Sequence, residues 1–291
     1  MQVKRYLQCL LTCLAVTSLT AVHSASAEPK LELRLELRLE LLVEAVVDAA
    51  NRGEPGPVFA KHQGLTLEQA YQVQTLAVKQ RLAGATPQGF KAGLTSEISR
   101  KKFAVAQPVA GVLLAGGREL RGRGEVDMEL FNNMMFEMEL GFTLSETITA
   151  PIADVATLKT IVAKIYPVIE LPDLAFDRPK NVTGVDIVAN NVAAKQFYFG
   201  AGINPDSINI NQLTVQLKKD GINILKGRGD DAMDDQWQAL LWLVNRTVSN
   251  GWDIEPGQLL ITGALGKMIK ASPGIYQVDY GELGRLELNV Q

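Results

Sequence analysis

Beyond residue 84, the most informative feature of the chain is a series of apolar segments that have the composition of β-strands. The segments are residues 89–94, 109–114, 134–144, 164–171, 196–200, 213–219, 222–226, 259–262 and 276–290. One helix pattern interrupts them at residues 236–250, where apolar side chains recur on one face and Gly251 follows. Because strands outnumber helices and do not alternate with them, a doubly wound parallel fold is disfavoured. The pattern predicts an α+β fold built on a curved, mostly antiparallel sheet.

The part of the chain before these segments carries a short repeat and two helix signals. Residues 31–41 alternate strictly, with leucine at every odd position and Glu or Arg between. Strict alternation favours a strand, the residue types favour a helix, and a low-complexity insertion is a third interpretation. Residues 42–52 and 66–82 read as helices, the second with a capping box at Thr66 and Gln69. We predict an N-terminal arm or helix over residues 28–64 and one large domain over residues 65–291.

The first 27 residues have the pattern of a secretion signal. Lys4 and Arg5 precede an uncharged apolar run over residues 7–22, and small residues at positions 25–27 suit a cleavage site. A lipoprotein signal at Cys13 fits less well, because the apolar run continues past it. No second apolar segment approaches about 20 residues. The sequence therefore predicts export to the periplasm and no membrane association after cleavage.

The composition that remains after cleavage excludes several kinds of chemistry. Residues 28–291 contain no cysteine and one histidine, His62, which is expected in a surface loop. Disulfides, thiol nucleophiles, iron-sulfur clusters and Cys/His metal sites are thereby excluded. With 27 basic and 32 acidic residues, the net charge of −5 gives no electrostatic case for binding nucleic acid. The chemistry has to use carboxylates, lysine, arginine, hydroxyls and backbone groups.

Two glutamates lie close together within the apolar segment 134–144. On a strand, Glu137 and Glu139 would share one face of the sheet, about 7 Å apart. Glu170 lies in a similar apolar setting on another predicted strand. If the three carboxylates meet, they form an oxygen-only site suited to Mg²⁺ or Mn²⁺. The alternative is that the face carrying Glu137 and Glu139 is open to solvent.

Two further segments offer groups for an anionic ligand. Lys91 lies among small and apolar residues at the end of a predicted strand, where a partly desolvated ammonium can bind an anion. The alternative is a surface lysine whose stem covers apolar neighbours. Near the C-terminus, a predicted strand runs into a turn that contains Gly263 and Gly266. These glycines would let backbone amides approach a bound carboxylate.

Taken in order, the motifs resemble the fumarylacetoacetate hydrolase superfamily, and most closely its branch of 2-oxopent-4-enoate hydratases and oxalocrotonate decarboxylases. The matching segments are GFKAGLTS at 89–96, Gln107-Pro108 before Gly111, Glu137-x-Glu139, Glu170-x-x-Asp173, Asp186 to Asn191, Gly227-x-Gly229, Ala239-x-x-Trp242 and ITGALG at 261–266. The resemblance covers residues 65–291 and implies a mixed, strongly curved, barrel-like β core with flanking helices. It also implies a homo-oligomer.

The resemblance assigns roles to individual positions. Glu137, Glu139 and Glu170 match the glutamates that bind Mg²⁺ or Mn²⁺ in the family, and Lys91 matches the catalytic lysine that contacts the substrate. The positions implied for substrate binding are Leu94, Ser96, Asp173, Thr262 and Gly263. The implied substrate is a small 2-oxo acid.

The implied reaction is the addition of water to a 2-hydroxydienoate or 2-oxo-alkenoate, which gives a 4-hydroxy-2-oxo acid. A decarboxylase, an acylpyruvate-type hydrolase and a catalytically inactive periplasmic binding protein for 2-oxo acids are the alternatives. The last is motivated by Val109, which stands where hydratases of the family commonly have an aspartate.

Overall fold

A computed structural model of the chain describes residues 28–59 and 64–291. The predicted signal peptide and His62 lie outside these residues, so both stay predictions. The described part contains six α-helices and thirteen β-strands. The helices are α1 Glu28–Arg52, α2 Leu67–Leu82, α3 Glu97–Lys102, α4 Val155–Ile161, α5 Gly184–Ala189 and α6 Gln236–Ser249. Short 3₁₀ helices occur at Met128–Leu130, Pro179–Asn181, Asn191–Ala193, Pro205–Ser207, Ile210–Gln212, Gly229–Asp231 and Gly281–Leu283.

Helix α1 contains the whole leucine repeat, whose structure the sequence had left open between strand and helix. Leu, Glu and Arg are strong helix formers, and the helix continues without a break into the amphipathic segment that follows. There Leu42, Val43, Val46 and Val47 are buried, at the spacing of one helix face. This face packs against α2 and belongs to the main hydrophobic core.

Helix α2 begins at the predicted capping box. The Thr66 hydroxyl accepts the backbone N–H of Gln69 at 3.2 Å, and the Gln69 side chain accepts the backbone N–H of Thr66 at 3.1 Å. Two of the N–H groups that a helix start leaves free are thereby paired. The helix places Tyr71 and Gln74 in the core, where both bind backbone groups of neighbouring elements. The predicted start of this helix is confirmed.

The strands form two sheets. They are β1 Gly89–Gly93, β2 Val109–Leu113, β3 Gly117–Glu119, β4 Arg123–Val126, β5 Met135–Leu144, β6 Val162–Leu171, β7 Gln196–Phe199, β8 Thr214–Lys219, β9 Ile222–Arg228, β10 Leu259–Ile261, β11 Ile269–Lys270, β12 Gly274–Asp279 and β13 Arg285–Val290. The larger sheet has the order β2-β1-β10-β5-β6-β7-β3, with β11 paired to one end of β5. The smaller sheet has the order β4-β13-β12-β8-β9.

Both sheets are mixed. The pairs β1 with β10, β3 with β7 and β4 with β13 are parallel, and the other pairs are antiparallel. Helices flank the strands, so the predicted α+β class with a mixed, strongly curved sheet is confirmed. The two sheets meet where the rings of Phe136 and Tyr276 stack at a centroid distance of 4.6 Å.

The strand predictions are accurate where a segment is apolar and less so elsewhere. The predicted run 276–290 is wrong as a single strand, because Gly281 and Gly284 adopt positive φ angles and form a turn between β12 and β13. Asp220 and Gly221 have φ angles of 50° and 81°, which suits a type I′ turn in the hairpin between β8 and β9. No helix within the described residues combines the length and the apolar character needed to cross a membrane.

Candidate metal centre

Strands β5 and β6 bring the three predicted glutamates together. The strands pair antiparallel with Glu137 directly opposite Glu170, and Glu139 lies two residues along the same face. One carboxylate oxygen from each residue lies within 4.8 Å of the others. Among the described residues this is the one group of three acidic, His or Cys side chains close enough to hold a metal ion. The fold therefore brings the three glutamates together, as the sequence analysis supposed.

Lys91 reaches this group from a distant strand. Its strand, β1, is separated from β6 by β10 and β5, and three strand spacings amount to about 14 Å in a flat sheet. Nevertheless the Lys91 ammonium forms a salt bridge with the Glu170 carboxylate. The larger sheet must therefore curl strongly, with these side chains on its concave face. Curvature of the sheet is what assembles the site.

Burial shows that the acidic group suits a cation. The side chains of Lys91 and Glu170 are 3% and 1% exposed, and Glu139 is fully buried. Glu139 Oε1 and Glu170 Oε2 are buried without any hydrogen-bond partner. Buried carboxylate oxygens without partners are costly, and one lysine cannot balance three carboxylates. The oxygen-only ligand set and its two unpaired oxygens fit a divalent metal ion.

The electrostatics of the site are dominated by burial and by repulsion between the carboxylates. Burial, together with the charge of Glu170, raises the pKa of Glu137 to about 7, although Lys91 acts in the opposite direction. The same two causes, with a further contribution from Glu137, raise the pKa of Glu139 well above its usual value. Burial alone would lower the pKa of Lys91, but attraction by the three carboxylates outweighs it and raises that pKa. The cluster therefore favours any added positive charge.

A glycine positions the carboxylate of Glu139. The backbone N–H of Gly263 donates to Glu139 Oε2 at 2.8 Å. Gly263 has a φ of +107°, and a Cβ at this position would lie 2.6 Å from the side chain of Thr95. Only glycine fits this turn without strain. The amide that the sequence assigned to a bound ligand is donated in this structure to the protein's own glutamate.

A left-handed turn after α5 supplies a second partner for Lys91, and no sequence pattern indicates this turn. Asn191, Val192 and Ala193 have φ angles of 53°, 51° and 55°, an unfavourable conformation for residues other than glycine. The Val192 carbonyl oxygen accepts a hydrogen bond from Lys91 Nζ at 3.2 Å. The Asn191 side chain holds the turn by accepting from the backbone N–H of Val112 and donating to its carbonyl, both at 2.8 Å. Strained backbone next to charged side chains is typical of functional sites.

A cavity of about 250 Å³ opens onto the acidic group. Lys91 and Glu137 line its inner end. Two of the predicted substrate-binding residues, Leu94 and Ser96, also line it, and Ser96 caps the N-terminus of α3 by accepting from the backbone N–H of Ser99. The remaining walls are mostly apolar.

The other predicted substrate-binding residues do not line the cavity. Thr262 is fully buried and its hydroxyl donates to the Gln236 side-chain oxygen at 2.6 Å. Asp173 accepts the backbone N–H groups of Asn132 and Asn133 and pairs with Lys195 at 2.8 Å, facing a separate cavity of about 350 Å³. Their roles in substrate binding stay predictions.

Val109, where the resemblance leads one to expect an acid, lies on β2 and is fully buried opposite Gly93 of β1. Several cavity residues carry no sequence signal of their own, among them Ile98, Phe103 and Met268. They are ordinary apolar residues, and only the fold shows that they share one wall.

No protein-family model matches the chain. Relatives with established names match at low identity over most of their length. The chain is 25% identical over 232 residues to a 2-oxo-hept-4-ene-1,7-dioate hydratase of Escherichia coli, covering 76% of this chain and 86% of the relative. It is 24% identical over 243 residues to a 4-oxalocrotonate decarboxylase of a Pseudomonas species, covering 83% and 93%. A 2-keto-4-pentenoate hydratase of Burkholderia vietnamiensis is 29% identical over 199 residues, covering 67% and 75%.

Solved structures show the same fold. The 4-oxalocrotonate decarboxylase from Pseudomonas putida G7, complexed with magnesium and adipate, superposes with a TM-score of 0.80 at 21% identity, covering 88% of this chain and 98% of that one. A fumarylpyruvate hydrolase from Pseudomonas aeruginosa, in complex with Mn²⁺ and pyruvate, gives a TM-score of 0.52 at 14% identity, covering 69% and 88%. Together with the sequence relatives, these likenesses confirm the resemblance to the fumarylacetoacetate hydrolase superfamily and support a hydratase-like enzyme.

Proposed function

We propose that the chain is a metal-dependent hydro-lyase that adds water to a 2-hydroxydienoate or 2-oxo-alkenoate and yields a 4-hydroxy-2-oxo acid. The observation that carries the proposal is the buried group of Glu137, Glu139 and Glu170 beside Lys91, at the inner end of a mostly apolar cavity. This arrangement offers a metal site, a cation and a mostly apolar cavity to one small anionic ligand.

In this proposal the three glutamates hold Mg²⁺ or Mn²⁺ through one oxygen each. The bound ion would supply Lewis-acid stabilisation of negative charge on the C2 oxygen of a chelating 2-oxo acid. Gly263 fixes Glu139 in place for this purpose. The two unpaired oxygens of Glu139 and Glu170 support the assignment, since nothing else in the described structure satisfies them.

Lys91 provides the second charged group for the substrate. An ammonium has three N–H donors, and Lys91 uses one on Glu170 and one on the Val192 carbonyl. The third remains for an oxygen of a ligand in the cavity. There it would stabilise the carboxylate or the enolate oxygen, and it would do so best as charge develops during proton transfer.

The relatives support the reaction class and leave the tail of the substrate open. Their names include hydratases of a 2-keto-pentenoate and of a 2-oxo-heptene-dioate, as well as a decarboxylase of an oxalocrotonate. The structural neighbours were solved with magnesium, calcium or Mn²⁺. An oxygen-only site prefers these hard cations, which is why we assign Mg²⁺ or Mn²⁺ here.

The test is turnover of 2-hydroxypenta-2,4-dienoate by the purified protein with and without Mg²⁺ or Mn²⁺, with products identified by NMR. We expect metal-dependent formation of the 4-hydroxy-2-oxo acid, which Glu139→Gln abolishes. Glu129→Gln, a change at an exposed acid, is the matched control and should keep full activity. Release of carbon dioxide from an oxalocrotonate without hydration would instead make the protein a decarboxylase. Absence of metal-dependent turnover of either substrate would refute the proposal.

The proposal includes export and self-association, which rest on the sequence pattern and on the resemblance. Mass spectrometry of the protein from a periplasmic fraction should find an N-terminus near Glu28. Light scattering on the purified protein should give a mass that is a multiple of one chain. A chain that retains residues 1–27, or a monomer at micromolar concentration, would contradict the respective part.

A further inference from the structure

The protein itself uses the two donors that the resemblance assigns to a ligand next to Glu139. The Thr262 hydroxyl donates to the Gln236 side-chain oxygen at 2.6 Å, and the Gly263 amide donates to Glu139 Oε2 at 2.8 Å. Neither donor is left for the head of a 2-oxo acid. A carboxylate offers about four sites that accept hydrogen bonds, whereas Lys91 has one N–H left to give. A carboxylate bound here can therefore take a further donor.

Thr95 places a hydroxyl at this end of the cavity. It follows β1 after a single residue, Leu94, whose left-handed φ of 53° turns the chain. Thr95 lines the same cavity as Lys91. A Cβ on Gly263 would lie 2.6 Å from Thr95 Oγ1, so the hydroxyl is within about 4 Å of the Gly263 Cα, given a carbon–carbon bond of about 1.5 Å. Because the Gly263 amide holds Glu139, the hydroxyl lies next to the turn that positions a proposed metal ligand.

The Thr95 hydroxyl is buried and unpaired. Thr95 is 7% exposed, and within residues 28–59 and 64–291 its hydroxyl forms no hydrogen bond. Its backbone is held in place, because the Thr95 carbonyl accepts from Arg100 Nη1 at 2.6 Å. A hydroxyl that loses water on burial without gaining a partner is unfavourable, and a ligand that pairs with it recovers that loss. The hydroxyl is therefore available to a ligand that enters the cavity.

A second buried threonine shows the contrast. Thr247 on α6 is 2% exposed, and its hydroxyl also has no partner among the described residues. That oxygen is enclosed by protein, whereas Thr95 lines the cavity beside Lys91. Of these two unpaired hydroxyls, the one on Thr95 is placed where the head of a 2-oxo acid would bind.

We propose that Thr95 is a substrate-binding residue whose hydroxyl donates a hydrogen bond to the carboxylate of the 2-oxo acid. The inference rests on the proposed function and adds one group to it. The metal ion and Lys91 attract the head of the ligand by charge, and Thr95 adds a neutral donor. A hydroxyl rotates to suit its partner, so it can donate to a carboxylate oxygen nearby. Because this contact is made before and during the reaction, it contributes to binding more than to the rate of the chemical step.

The role is tested with oxalate, which chelates a divalent ion as a 2-oxo acid does and cannot be hydrated. Thr95→Val keeps the shape of the side chain and removes the hydroxyl. Calorimetry on the full chain loaded with Mn²⁺ should show that this variant binds oxalate about tenfold more weakly than wild type. Thr95→Ser keeps the hydroxyl and should bind oxalate nearly as wild type does, and Mn²⁺ affinity should be the same in all three proteins. In turnover of 2-hydroxypenta-2,4-dienoate, Thr95→Val should raise KM more than it lowers kcat.

Stability and a control variant separate this role from a structural one. Thr95→Val should have a Tm at or above that of wild type, because the change removes an unpaired buried hydroxyl. Thr247→Val removes the other unpaired hydroxyl and is the matched control. It should bind oxalate as wild type does.

Equal oxalate affinity of Thr95→Val and wild type would overturn the inference and leave the proposed function intact, and so would an equal loss of affinity in Thr95→Ser. A parallel loss of Mn²⁺ affinity, or a clearly lower Tm of Thr95→Val, would also overturn it, because Thr95 would then act on the metal site or on the fold. If wild type bound no oxalate in an Mn²⁺-dependent way, the proposed function would fail together with the inference.

Discussion

Lys91→Met is expected to destabilise the metal-free protein strongly and at the same time to increase its response to metal. Methionine keeps the length of the side chain and removes its charge. Glu170, whose side chain is 1% exposed, then has no cation beside it, and the other two glutamates repel it. Removing one partner of a buried ion pair costs about 3–5 kcal/mol. For a chain of this size that corresponds to a fall of about 6–20 °C in Tm.

A divalent ion should restore much of this loss. It would bring two positive charges to three carboxylates that no longer have a lysine nearby. Calorimetric melting with and without Mn²⁺ should therefore show a larger gain in Tm for Lys91→Met than for wild type, while turnover stays lost. Lys101→Met, whose side chain is exposed, should change the free energy of unfolding by less than about 1 kcal/mol. A metal-free Lys91→Met protein as stable as this control, or an equal gain with Mn²⁺, would refute the reasoning.

Three further outcomes follow from the structure. Because the pKa of Glu137 is raised to about 7, the free energy of unfolding of the metal-free protein should fall as pH rises from about 4.5 to 7. Stabilisation by Mn²⁺, measured by melting, should grow over pH 6–8. Asn191→Ala removes two hydrogen bonds to Val112 and should lower the free energy of unfolding, measured in urea, by about 2–4 kcal/mol. Turnover should fall, with Mn²⁺ affinity nearly unchanged. An equal loss of Mn²⁺ affinity would contradict the role of Asn191 in holding the turn. Leu42→Ala should cost about 2–5 kcal/mol and Leu41→Ala less than about 0.5 kcal/mol, and similar values would contradict the packing of α1.

The strands that carry the site could be predicted because their sequences are nearly continuous apolar runs. The two-residue spacing of Glu137 and Glu139 gave their common face directly, since a strand has a period of two. The pairing of Glu137 with Glu170 depends on the register of β5 against β6. Register is set by the packing of both faces, which a single segment does not reveal.

The contact between Lys91 and Glu170 lies further beyond what sequence reasoning could reach. Two other strands separate β1 from β6. The contact exists because the sheet curls over that distance. Curvature accumulates over many residue pairs and has no local signal. Val192 was missed for a different reason. A β-branched residue is among the least expected in a left-handed turn, so its sequence pointed away from the conformation it adopts.

The leucine repeat shows how two local signals compete. Alternation favoured a strand and residue type favoured a helix, and the chain forms one helix through Arg52. The adjoining segment supplies an apolar face that packs against α2. Tertiary packing thus decided a choice that the repeat alone left open.

The central claim, that three glutamates hold one divalent ion, is tested most directly by a crystal structure of the Mn²⁺-loaded protein with data collected at the manganese absorption edge. The account predicts a single strong anomalous peak between β5 and β6, bonded to one oxygen each of Glu137, Glu139 and Glu170, and the absence of that peak in Glu139→Gln. A peak elsewhere on the protein, or carboxylates that enclose no ion at saturating Mn²⁺, would contradict it.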